Sequence, residues 1–266
     1  MKINNIKLIV VDLDGTLLKD DKSIDNVNIE VIKQLKSQGI LFGIASGRGI
    51  HTIIENLEKW PISGYVDYVI GSNGSEIYCC DNDEYIDVNH LSNEFIKSFE
   101  KKYHDRNFAT TIYSGIDLLC NKITETVESN IAIYNMKTIL TDFQQFDKSA
   151  SKLLLISKEE DQSDIYNDLK DNKEYNIFAS NNVYLEVVDP NVNKSNGIKI
   201  IANKLGINND NILTFGDAMN DYEMIRDYIG VAMKKSIQEI YDISKYTTDY
   251  SNNESGVGNF IKDYIF

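Results

Sequence analysis

The sequence predicts an α/β fold: a parallel sheet flanked by helices, with an α+β block inserted into it. Three observations carry that expectation. Over residues 1–80, short apolar runs alternate with stretches of helical periodicity, the pattern of βα units. From Ser195 onward the same alternation returns. Between them, over residues 86–188, strands and helices mix without it.

Ile6–Val11 reads as a strand buried on both faces, rich in β-branched residues. Asp25 to Lys36 carries Val27, Val31, Ile32 and Leu35 at helical spacing, and Gly39 follows as a stop. Leu41–Ala45 is a second buried strand, Arg48 to Leu57 a helix and Tyr68–Ile70 a third strand. In the C-terminal part the expected elements are a helix at Ser195–Leu205, a strand at Asn211–Phe215, a helix at Asp221–Arg226, a strand at Ile229–Ala232 and a helix at Ser236–Ile243. The inserted block predicts helices at Asn93–Lys102, Glu125–Tyr134 and Ser163–Leu169. Its expected strands are Ala109–Tyr113, Asp117–Leu119, Lys152–Ile156, Asn176–Phe178 and Tyr184–Val188. Turn residues mark its rims, Cys80-Asp81-Asn82-Asp83 before and Asp189-Pro190-Asn191 after. The expected division is a discontinuous core, residues 1–85 and 189–266, and an inserted α+β domain, residues 86–188.

Composition excludes several functions. A chain of 266 residues can bury ~70–75% of its unfolded surface, so it needs no disulfide or metal to fold. Its 27 basic and 41 acidic residues give a net charge of −14, which argues against duplex DNA or an anionic membrane as partner. No apolar run approaches the ~20 residues of a spanning helix. Asp12 and Asp14 interrupt what would be the apolar part of a secretory signal. Cys79, Cys80 and Cys120 form no Cys-x-x-Cys, so reduced thiols acting as small buried hydrophobes in a cytoplasmic protein are expected. Nothing in the sequence marks an obligate protein partner.

Four short motifs stand at predicted element ends. Asp12-Leu13-Asp14-Gly15-Thr16 follows the first strand, where carboxylates two apart face the crevice above the sheet and Gly15 permits the turn. Ala45-Ser46-Gly47-Arg48 follows the second, where a hydroxyl and backbone N–H groups suit an anion. Lys194-Ser195-Asn196-Gly197 opens a helix, where the helix dipole disfavours a lysine unless an anion lies nearby. In Phe215-Gly216-Asp217-Ala218-Met219-Asn220-Asp221, the Asp and Asn oxygens suit a hard cation such as Mg²⁺. Each alone also fits a helix cap or a solvated side chain. Together, Asp12, Ser46 and Asp217 stand past the carboxyl ends of three different parallel strands, the edge where open α/β sheets bind ligands.

This set resembles the haloacid dehalogenase (HAD) superfamily of phosphotransferases, over about 160 residues of core. The insertion after the third strand resembles the Cof-type subgroup, mostly Mg²⁺-dependent phosphatases, and Ser72-Asn73-Gly74 and Leu185-Glu186-Val187-Val188 look Cof-like too. Only eight residues, Leu17 to Ile24, separate the first motif from the next helix, which leaves the later block as the cap.

The resemblance implies a HAD-like Rossmannoid core and a mechanism. Asp12 would attack phosphorus to give an aspartyl-phosphate, and Asp14 would act as general acid and then base, with a pKa raised by the surrounding carboxylates. Mg²⁺ would be held by Asp12, the Asp14 carbonyl and Asp217; Ser46, Gly47, Lys194 and Asn220 would grip phosphate; Asp221 would support Lys194 or a metal-bound water. With Asp14 protonated, Asp12, Asp217 and Asp221 balance Mg²⁺ and Lys194. The cap would close over the crevice and select a small phosphorylated metabolite, with Tyr113, Tyr134 and Tyr184 as candidate lining residues. A phosphomutase or phosphotransferase, or a metabolite-binding regulator without turnover, stays open as an alternative. The glycines around Ser46 lack dinucleotide-binding spacing, no Gly-x-Ser-x-Gly elbow occurs, and the three histidines have no zinc spacing.

Overall fold

The computed structural model describes residues 2–114, 117–134, 137–179 and 182–266. In chain order the elements are β1 (Leu8–Asp12), α1 (Asn26–Ser37), β2 (Leu41–Ala45), α2 (Ile50–Leu57), β3 (Tyr68–Gly71), β4 (Glu76–Cys79) and β5 (Glu84–Asp87). Then come α3 (Asn93–Tyr103), β6 (Phe108–Ser114), β7 (Asp117–Cys120), α4 (Glu125–Tyr134), β8 (Lys137–Leu140), β9 (Leu153–Ser157), α5 (Glu159–Leu169), β10 (Asn176–Ala179) and β11 (Tyr184–Val188). The chain ends with α6 (Lys194–Leu205), β12 (Ile212–Gly216), α7 (Tyr222–Asp227), β13 (Ile229–Ala232), α8 (Gln238–Ile243), β14 (Tyr246–Thr247) and α9 (Gly256–Tyr264). These residues form two compact units, 1–88 with 193–266, and 89–192.

Among the described residues, the first unit holds an eight-stranded sheet of order β14-β13-β12-β1-β2-β3-β4-β5. From β14 to β3 every pairing is parallel, and β1 sits between β12 and β2. Side chains alternate across a strand, so β1 feeds two cores. Ile9 and Val11 pack with residues of α1, α2 and α9, whereas Leu8 and Val10 pack with residues of α6, α7 and α8. Both faces are covered, and that is why β1 and β12 read as near-continuous apolar runs. Asp25 caps α1, its carboxylate accepting the Val27 N–H at 2.9 Å.

Among the described residues, the second unit holds a six-stranded sheet of order β10-β11-β9-β6-β7-β8, antiparallel except for the β7–β8 pair. One face packs on Ile96, Phe99 and Tyr103 of α3 and Ile165 and Leu169 of α5. The other packs on Val127 of α4. Tyr184 is buried in this sheet and Tyr113 is exposed, while the Tyr134 side chain lies outside the described residues.

The structure adds elements the pattern does not predict. Cys80–Asp83 is a hairpin turn joining β4 to β5, two antiparallel strands that extend the sheet past β3. Parallel-sheet grammar gives no sign of them, because four-residue strands at an edge carry little periodicity. The edge strand β8 and the C-terminal α9 are further additions. Helix α5 starts four residues before the expected Ser163, since Glu159, Glu160 and Asp161 favour a helix N-terminus. No described helix is long and apolar enough to cross a membrane.

The three cysteines are free. Burial pushes the Cys80 thiol up to about 12 and raises Cys79 and Cys120 as well. Thiolate is the reactive form, so a disulfide reagent at pH 8 is expected to label the native protein about two orders of magnitude more slowly than the guanidinium-unfolded chain. Equal labelling rates in the two states would contradict this burial.

Candidate active site

Because β12, β1 and β2 are adjacent and parallel, their carboxyl ends lie along one edge. Asp12 is the last residue of β1, Ser46 follows β2, and Asp217 follows β12. The chain after β3 turns tightly through Ser72, Asn73 and Gly74, with Ser72 and Asn73 at φ of 47° and 55°. A Cβ on Gly74 would lie 2.2 Å from the Asn193 carbonyl oxygen, so only glycine lets this turn approach the start of α6.

Lys194 is the first residue of α6, and Asn193 caps that helix by accepting the Asn196 N–H at 2.8 Å. The lysine is fully buried. Its Nζ donates to Asp12 Oδ1 at 2.5 Å and to Asp221 Oδ1 at 2.6 Å. Burial works against the ammonium, but the two carboxylates outweigh it and raise its pKa. Asp221 Oδ2 accepts the N–H groups of Asp217 and Ala218 at 2.9 and 3.1 Å. Asp221 therefore binds Lys194 on one side and shapes the Asp217 loop on the other.

Asp217 accepts the Thr16 hydroxyl at 2.9 Å. Gly15, at φ +86°, brings the first loop so close that a Cβ there would lie 2.6 Å from Asp217 Oδ2. Carboxylate oxygens of Asp12, Asp217 and Asp221 lie within 4.8 Å of one another. Burial pushes Asp12 up to about 8 against the pull of Lys194, and Asp221 and Asp217 add to the rise. Burial likewise pushes Asp217 up to about 6, with Asp221 adding to it. Three acidic groups share one ammonium, and the upward shifts of Asp12 and Asp217 show that the cluster is short of positive charge. This all-oxygen donor set suits a hard divalent cation such as Mg²⁺. Asp221 already uses both oxygens, so Asp12 and Asp217 are the side chains best placed to hold it.

Ser46 is buried, and its Oγ accepts the Arg48 N–H at 3.2 Å. Gly47 sits where a Cβ would be 3.1 Å from Asn73 Oδ1, and Asn220 Nδ2 donates to that same oxygen at 3.3 Å. Asn73 thus links the loops after β2, β3 and β12. The sequence places Asn73, Thr16 and Arg48 inside motifs but gives them no role, since their partners lie far away in the chain.

Asp14 departs from expectation. Its carboxylate stands outside the acidic cluster, accepting from Arg48 Nε at 2.8 Å, Arg48 Nη2 at 2.7 Å and Lys22 Nζ at 2.6 Å. Partial burial would raise its pKa, but the hydrogen bonds and charges of Arg48 and Lys22 outweigh it, and the pKa is lowered. The expected rise required anionic neighbours, and the actual neighbours are cations.

A family model of haloacid dehalogenase-like hydrolases matches residues 9–261. Among curated proteins, the chain is 28% identical to the 5-amino-6-(5-phospho-D-ribitylamino)uracil phosphatase YcsE of Bacillus subtilis, over 98% of this chain and 96% of that protein. It is 27% identical to the phosphatase YitU of the same organism, over 97% of each. Among solved structures, TM0651 from Thermotoga maritima superposes with a TM-score of 0.82 at 25% identity, covering 98% of both chains. The chain belongs to the haloacid dehalogenase-like hydrolases, and it is a phosphatase of that family.

Removing one partner of a buried ion pair costs about 3–5 kcal/mol. Lys194→Met is expected to lower unfolding free energy by about that amount in urea titrations with chelator present. Adding Asp221→Asn to Lys194→Met should recover part of the loss. A single variant as stable as wild type would show that Lys194 carries no structural charge.

Proposed function

We propose that the protein hydrolyses small phosphorylated metabolites, sugar phosphates or phosphorylated cofactors, with Mg²⁺ and an aspartyl-phosphate on Asp12. The observation that carries this reading is the buried Lys194 ammonium, 2.5 Å from the carboxylate that ends the central strand, beside Asp217 and Asp221. An anionic nucleophile faces an anionic phosphate. At an effective dielectric of 20, two unit charges ~4 Å apart repel by about 4 kcal/mol. Mg²⁺, held by Asp12, the Asp14 carbonyl and Asp217, would supply the positive charge that draws phosphate oxygens to the nucleophile.

In the first half, an Asp12 carboxylate oxygen attacks phosphorus and the bond from phosphorus to the ester oxygen breaks. Asp14 gives its proton to the departing oxygen, releasing an alcohol and becoming a carboxylate. In the second half, Asp14 takes a proton from water while that water's oxygen attacks phosphorus. The acyl-phosphate bond breaks, inorganic phosphate leaves, and Asp12 is regenerated. The ionised Asp14 that Arg48 favours is the form the second half needs. An arriving phosphate dianion raises its proton affinity for the first. Ser46, Gly47 and Asn220 border the same edge and would grip the remaining phosphate oxygens. Residues 86–188 serve in this reading as the cap that selects the leaving group. The curated relatives, named for a phosphorylated ribitylamino compound, make polyol and sugar phosphates the first substrates to test.

Phosphate release across a metabolite panel with Mg²⁺ tests the reading. Asp12→Asn is expected to lose at least ~10³-fold in kcat/KM on every substrate the wild type accepts, because the nucleophile is gone. Equal activity in the two proteins would refute it, and product trapped on an added alcohol in place of released phosphate would turn it into a phosphotransferase. Chelation should also weaken inorganic phosphate binding by more than about tenfold, since the site then meets the anion with Lys194 alone, whose charge is already engaged by Asp12 and Asp221. Calorimetry with and without chelator measures this, and unchanged affinity would remove the metal from the phosphate site.

A further inference from the structure

We propose that Arg48 is the positioning residue for Asp14, its guanidinium fork fixing which carboxylate lone pair exchanges the proton. The inference rests on the acid–base reading of Asp14 given above.

Arg48 meets Asp14 in a two-point fork, Nε to Oδ2 at 2.8 Å and Nη2 to Oδ1 at 2.7 Å. Such a fork sets the plane of the carboxylate as well as its charge. The arginine's own backbone is tied down at both ends: its N–H donates to Ser46 Oγ at 3.2 Å, and its carbonyl accepts the Ser72 N–H at 2.8 Å. It is thereby anchored to the ends of β2, which pairs with the nucleophile's strand, and of β3, the next strand along.

Lys22 supplies a third donor, to Oδ1. It stands at φ +66° in a turn closed by the Lys19 N–H to the Ser23 carbonyl at 3.0 Å. That turn is held from outside. Asp20 accepts Asn252 Nδ2 at 3.0 Å and Asn253 Nδ2 at 2.8 Å, and its own N–H donates to Asn253 Oδ1 at 3.0 Å. A carboxylate offers about four lone-pair sites. Two donors fill those of Oδ1 and one fills a site on Oδ2. The remaining Oδ2 lone pair is the one left to pass a proton to the leaving group or take it from water. Lys22 is largely exposed, so its ion pair is weak; the partly buried fork of Arg48 does most of the orienting.

The test compares an alkyl phosphate, whose alkoxide must be protonated to leave, with p-nitrophenyl phosphate, whose phenolate leaves unaided. Both are assayed as kcat/KM at saturating Mg²⁺. Asp14→Asn should lose ~10²–10⁴-fold on the alkyl ester and far less on the aryl ester. Arg48→Ala should copy that selectivity, losing about 10–100-fold on the alkyl ester and less than about threefold on the aryl one, with phosphate inhibition unchanged. Arg48→Lys should not restore the alkyl activity, because one ammonium cannot hold two oxygens in a plane. It also carries the test should the alanine variant fail to fold.

Arg48 variants that slow both esters equally, or that weaken phosphate inhibition in step with kcat/KM, would overturn the inference in favour of scaffolding or phosphate gripping. If Asp14→Asn itself shows no leaving-group selectivity, the acid–base reading of Asp14 fails and the role of Arg48 falls with it. A selective Asp14→Asn beside an unselective Arg48→Ala sinks the Arg48 inference alone.

Discussion

The buried ammonium of Lys194 is the interaction around which the site is built. It has no exposure to solvent and touches two carboxylates, one ending the central strand and one shaping the neighbouring loop. Neither carboxylate would be tolerable there alone, because an isolated buried charge costs several kcal/mol. The lysine makes Asp12 possible at the sheet edge and, through Asp221, fixes the backbone that presents Asp217. It does not neutralise the cluster, and the residual negative charge is what fits the site to a divalent cation. The same electrostatics meets a requirement of phosphoryl transfer, which places an anion next to an anion.

The scaffold serves this arrangement by bringing five stretches of chain to one edge. Parallel pairing of β12, β1, β2 and β3 puts their carboxyl ends side by side, and α6 enters with its first residue at the same place. Two glycines permit the close approaches: Gly15 against Asp217 and Gly74 against the backbone before Lys194. The unit of residues 89–192 has its own sheet, with an apolar cluster on each face.

The net charge of −14 acquires a narrower meaning at this level. It speaks against polyanionic partners, whose contact surface is broad. It says little about the charge at one sheet edge, where Lys194 stands against Asp12 and where Arg48 and Lys22 stand against Asp14. Local charge is set by the fold that gathers these residues, and the sum over the chain does not report it.

The strands and the motifs are legible in the sequence because both depend on neighbours in the chain. A strand covered on both faces must be apolar at successive positions, as in Leu8–Val11 and Leu213–Phe215, and the chain must turn where the strand ends. Asp12, Ser46, Lys194 and Asp217 can therefore be placed at element ends from sequence alone. The partners of those residues cannot. Asp14 meets Arg48 across 34 residues of chain, Lys194 meets Asp12 across 182, and Asn220 meets Asn73 across 147. The sign of the Asp14 pKa shift is opposite to the expected one for the same reason, because it depends on which charges the fold brings near. The short β4–β5 hairpin and the edge strand β8 escape sequence reading because they are specified by pairing more than by periodicity. Sequence by itself determined which chemistry the chain carries and where along it; tertiary structure decided which charges face one another, because electrostatic partnership depends on distance in space and leaves no local mark in the chain.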